Sequence, residues 1–200
     1  MKGTRTRAIV GSCVFFWAAP GLVAGVGPFV LVGWTMQPPL FGLPGGRMVG
    51  AAAVAAGLAC LLDCFARFAL EGRGTPAPVA QTEVLVASGL YRCVRNPMYI
   101  SVLLIVSGQA LLFGHARLFA YAGVLLVVFH LFVLLHEEPS LRRRFGESYE
   151  TYCLHVGRWR PRLTPWRGSE PFSLEGARRM RGSGWEDSFD ESRGRGDDPR

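Results

Sequence analysis

Hydrophobic positions in this chain do not alternate with polar ones; they run together. Histidines apart, no acidic or basic residue occurs between Ala8 and Gly46, from Met48 to Leu62, from Pro97 to Ala116, or from Leu118 to His136. A helix of a soluble domain keeps a polar face, so charged side chains return at helical period. Uncharged runs of roughly 17 to 25 residues instead match the hydrocarbon thickness of a bilayer. The pattern predicts an all-α fold: a multi-pass membrane helical bundle of about four transmembrane helices, near residues 7–33, 47–71, 97–113 and 118–136.

Punctuation between the runs refines this division. Pro20, Gly21 and Pro28 interrupt the first span and predict a kink, tolerated where neighbouring helices satisfy the freed backbone. The loop 37-QPPLFGLPGG-46 is turn-forming. Asp63 and Arg67 lie four apart in the second span, a spacing that permits an ion pair. A polar connection over 72–90 follows. At the third span Asn96 suits the N-cap and Pro97 the first helical position. The stretch 114–117 is short enough only for a tight turn, so the third and fourth spans form an antiparallel hairpin. Leu141, Phe145, Tyr149 and Tyr152 then recur at spacings of four, four and three. That places them on one face of a C-terminal helix lying at the membrane surface.

Charge changes the picture in two ways. Lys2, Arg5, Arg7, Arg73, Arg92, Arg95 and Arg142 to Arg144 fall on one side of the predicted bundle, against Arg47 and Arg117 on the other. Both termini are therefore expected in the cytosol. From Pro165 to Arg200 the chain is rich in Gly, Ser, Arg and Asp and reads as a disordered tail, which leaves 1–164 as the membrane domain. The basic start is that of a secretory signal, but the apolar stretch after it is too long and has no clean cleavage site. Cys13, Cys60, Cys64, Cys93 and Cys153 show no C-x-x-C spacing, and no metal site is expected.

The stretch 91-YRCVRNPMYI-100 concentrates polar chemistry at the mouth of the third span. The hairpin would bring Arg92, Arg95, Asn96 and Tyr99 beside Glu137 and Glu138, about forty residues later. Taken singly, such charges mark a membrane interface. Together they put both signs of charge beside exposed helix-terminal N–H groups, which suits a small ligand carrying an anion, a cation and hydroxyls.

These motifs, 95-RNPMY-99 and 137-EE-138, resemble those of the isoprenylcysteine carboxyl methyltransferase and phospholipid methyltransferase family of integral membrane enzymes. The flanks 89-GLYRCVRNPMY-99 and 137-EEPSLRRRFGESYETYCLHVGRWRP-161 agree with it, and the resemblance covers roughly 73–163. It implies an S-adenosylmethionine-dependent methyltransferase. By position, Arg95, Pro97, Tyr99, Glu137 and Glu138 would shape the cofactor site, with Gly89, Leu90 and Tyr91 lining its entrance. Arg143 is a candidate for holding an anionic group of the methyl acceptor. The family has glycine two residues after the tyrosine, whereas this chain has Ser101. Gly108, seven residues further on, is expected to serve helix packing. The implied partners are the lipid bilayer and a lipophilic or small acceptor bearing a carboxylate, amine or thiol; no nucleic acid is expected.

Two other classes fit parts of the sequence. A haem- or quinone-binding protein would use His130 and His136, but a spacing of six puts them about 120° apart around a helix. His115 and His155 belong to opposite membrane faces. A non-catalytic membrane scaffold with a degenerate cofactor site is the other alternative.

Overall fold

A computed structural model describes residues 20–42, 45–70 and 85–167. Lys2, Arg5, Arg7, Cys13, Arg73, the start of the first apolar segment and the tail beyond 167 lie outside the described residues. Within them the fold is all-α, without a strand. A π-helical turn, Leu22–Val26, leads into α1 (Gly27–Val32). The long α2 (Gly46–Leu70) follows, then α3 (Pro97–Phe113) and α4 (Ala116–Phe132). A second π-helical turn, Val133–Glu137, continues α4 into α5 (Glu138–Phe145), and α6 (Glu147–His155) closes the helical part.

Two stretches are long and apolar enough to cross a membrane: Gly46–Arg67, of 22 residues, and Arg117–Phe145, of 29. At 1.5 Å per residue the shorter spans about 33 Å, just over a bilayer core. Leu22–Val32 and Pro97–Phe113 are shorter apolar helices. The outward face of α4 is a row of exposed Val124, Val127, Val128 and Leu131, continued by Leu135. So long an apolar strip is stable where lipid covers it.

Close backbone approach holds the bundle. α2 and α3 form its most extensive contact, because small residues meet there. A methyl group added at Gly50 would lie 2.6 Å from the Gly108 carbonyl oxygen, and one at Gly108 would lie 2.8 Å from that of Gly50. Gly108 thus has the packing role its place in the sequence suggested. The kink expected near Pro20 and Pro28 takes the form of the first π turn. Wide turns leave carbonyls without their usual helical partner, and side chains from two other helices answer here. Gln109 Nε2 donates to Ala24 O at 2.7 Å, and Tyr121 Oη to Val23 O at 3.0 Å.

The predicted hairpin of α3 and α4 is present. Gly114, at φ 78°, ends α3 in the left-handed conformation that glycine adopts without strain. The predicted surface helix differs from expectation. Gly146, at φ 53° and ψ −131°, splits it into α5 and α6. Its aromatic face turns inward: Phe145, Tyr149 and Tyr152 are buried with Leu85 and Val156, under Trp166.

Candidate functional site

Four elements converge where α3 begins and α4 ends. Pro97 opens α3 at its first turn, and Asn96 precedes it. Asn96 does not cap the helix with its side chain; its Nδ2 donates to Arg158 O at 3.2 Å. The loop before it, Gly89–Arg92, is a 3₁₀ turn pinned from α2. Arg67, paired with Asp63 at 2.9 Å, reaches Ser88 Oγ at 3.3 Å. Gly89 has φ 50°, and a methyl there would collide with the Arg67 guanidinium. Leu90 and Tyr91 pack inward on Cys64 and Val86, so these three entrance residues act in the structure as the seat of the loop.

The polar cluster lies directly above. Arg95 Nη1 donates to Glu138 Oε1 at 3.1 Å and to Cys153 Sγ at 2.9 Å. Arg158 grips the same carboxylate with two bonds, Nε to Oε1 at 2.5 Å and Nη2 to Oε2 at 2.9 Å. Glu138 is only 5% exposed, so two guanidiniums balance a carboxylate withdrawn from water. Tyr99 Oη donates to Glu137 Oε2 at 2.9 Å. The Glu137 carboxylate makes no other hydrogen bond among the described residues, and Arg95 Nε is buried without an acceptor. One wall is aromatic. Tyr99 lies 4.8 Å from Phe129 and 6.4 Å from Trp159, centroid to centroid, and Trp159 Nε1 donates to His130 Nδ1 at 3.0 Å.

Sequence reasoning missed the strap that follows α6. Arg95 N donates to Gly157 O, Arg162 N to Cys93 O and Trp166 N to Arg92 O, each at 2.9 Å. Arg92 Nε donates to Trp166 O at 2.7 Å. Below the strap Tyr152 donates its hydroxyl to Tyr91 O at 2.7 Å; burial pushes this phenol well above its ordinary pKa, so it stays a donor. The strap delivers Arg158 and Trp159. The basic and aromatic run 157-GRWRP-161 was its only signal.

The remaining candidates sit elsewhere. Arg143 is exposed on α5, away from these pairings. Ser101 is buried and turns its hydroxyl back to Pro97 O at 2.8 Å, while its carbonyl faces Gly57 of α2. His130 is engaged by Trp159 and His136 is exposed beside Phe132. No group of three metal-ligating side chains occurs among the described residues.

The model of the phospholipid methyltransferase family matches residues 46–148. The chain belongs to that family. The matched stretch contains Arg95, Tyr99, Glu137 and Glu138 and stops short of the strap, so Arg158 and Trp159 complete the cluster from outside it. The phospholipid methyltransferase family is one of membrane methyltransferases, in keeping with the two long apolar helices. Neither curated proteins nor solved structures give a match.

Proposed function

We propose that this chain is an S-adenosylmethionine-dependent methyltransferase acting at the membrane interface, with the cluster of Arg95, Tyr99, Glu137, Glu138 and Arg158 as its cofactor site. The observation that carries this reading is the buried Arg95 Nε without an acceptor, on a guanidinium bonded to Glu138, while the neighbouring Glu137 carboxylate holds a single bond. The cofactor has a carboxylate for the first and an ammonium or ribose diol for the second. The rings of Tyr99, Phe129 and Trp159 offer π faces to its sulfonium. When bound, it supplies an activated methyl group, and no nucleophilic side chain is required.

The protein's part is then to hold, orient and keep water out. Glu138 fixes Arg95 and Arg158 in place, and Tyr99 fixes Glu137. We read the acceptor as a lipophilic molecule, with a carboxylate, amine or thiol, that arrives from the bilayer. Four membrane crossings with both termini in the cytosol are part of the same proposal. Incubating the full-length protein with methyl-labelled cofactor and membrane extracts tests it: label should enter an extractable lipophilic product. Absence of both saturable cofactor binding and labelled product would leave the scaffold reading in its place.

A further inference from the structure

A cleft lies at the other end of the hairpin, separated from Glu137 by the length of α3, about 25 Å. It is a shallow, open depression of about 500 Å³, lined by Gln37, Pro38, Leu40, Gly114, His115 and Arg117. We propose that it binds the phosphate of a phospholipid headgroup in that leaflet.

The frame is rigid. Gln37 N donates to Phe113 O at 2.8 Å, and a methyl at Gly114 would strike Pro38 O. His115 Nε2 lies 2.8 Å from Thr35 O and 3.1 Å from Thr35 Oγ1. Arg47 Nη2 donates to Gln37 O at 2.8 Å, while Arg47 Nε is buried without an acceptor among the described residues. Arg117 projects outward on the first turn of α4, which carries no acidic residue.

Charge then decides the ligand. No Asp or Glu occurs from residue 8 to 62 or from 84 to 136, and every element lining the cleft comes from those stretches. Among the described residues Arg47 and Arg117 have no counter-ion, so an external anion is the complement. Guanidinium groups bind phosphate oxygens through paired N–H donors, and the open amide end of α4 adds positive potential.

Position selects a lipid over free phosphate. Trp34, stacked on Phe113 at 6.5 Å and 46% exposed, and Met36, 59% exposed, flank this end of the bundle. Tryptophan concentrates at membrane–water interfaces, at the depth of the headgroups. Apolar Leu40 and Pro38 on the cleft wall suit the glycerol and first acyl carbons.

The inference is independent of the cofactor reading. Calorimetry on the full-length protein in detergent, titrated separately with dihexanoyl phosphatidylglycerol, dihexanoylglycerol and inorganic phosphate, tests it. Saturable binding of the phospholipid near one per chain is expected, with none of the neutral diacylglycerol. Arg117→Gln should weaken it about tenfold, the loss of one charge-assisted hydrogen-bond pair, with melting temperature and S-adenosylmethionine binding unchanged. Equal binding of dihexanoylglycerol, or an unaltered Arg117→Gln, overturns the proposal. Saturable inorganic phosphate binding without phospholipid binding overturns the lipid assignment.

Discussion

Glu138 is the side chain on which the cluster balances, because two arginines depend on one buried carboxylate. Glu138→Ala leaves both guanidiniums without a counter-charge, a change that costs on the order of 3 kcal/mol where a buried pair is broken. A large fall in melting temperature and loss of cofactor binding are the expected outcomes. Arg95→Ala should spare the Arg158–Glu138 pair, so the protein stays folded while affinity for S-adenosylmethionine falls below detection in a calorimetric titration. Unaltered affinity would remove Arg95 from the site. Tyr99→Phe takes away one hydrogen bond, worth about 1 kcal/mol, and should weaken binding roughly fivefold in the same titration. Arg95, Tyr99 and the glutamate pair were legible in the sequence because charge stands out at the edges of apolar runs. Arg158 was not. A basic residue after a polar helix looks like any solvated arginine, and only the fold brings it onto a carboxylate twenty residues earlier.

Among the elements, the seam between α2 and α3 sets the geometry on which the site rests. Gly50 and Gly108 leave no space for a side chain, since each faces the other's carbonyl oxygen. Gly108→Val should therefore push the helices apart and destabilise by about 2 to 3 kcal/mol, the scale of overpacking in a tight core. Thermal denaturation in detergent measures it, with Gly123→Ala as the control, because a methyl at Gly123 meets nothing within 4 Å. A melting temperature for Gly108→Val equal to that of the control would refute the seam. The positions of α2, α3 and α4 followed from the uncharged runs, and Gly108 could be singled out by its place on the face of α3. The break at Gly146 was hidden. Spacings of four, four and three continue an amphipathic pattern straight through the glycine, and their burial against Leu85 and Trp166 involves partners far away in the chain.

At the scale of the whole molecule, polar chemistry is segregated to the two ends of an apolar bundle. The domain reaches past the predicted boundary at 164, since Trp166 bonds to Arg92 and packs on Tyr152 and His155. A chain ending after Arg167 should bind cofactor as the full-length protein does. One ending after His155 loses Arg158, Trp159 and the strap's main-chain bonds, and binding should vanish although its long apolar helices remain. Equal affinities for the two truncations, by calorimetry, would show that the strap is dispensable. The run 157-GRWRP-161 was the only mark of that strap, because main-chain bonds carry most of it and these leave no trace in residue type. The tight seam also dictates traffic. With α2 and α3 locked against each other, the lipophilic acceptor proposed above has no gap between them to use. On that proposal its path to Glu137 runs along the valine- and leucine-faced flank of α4, and the bulk of the side chains there sets which acceptors pass.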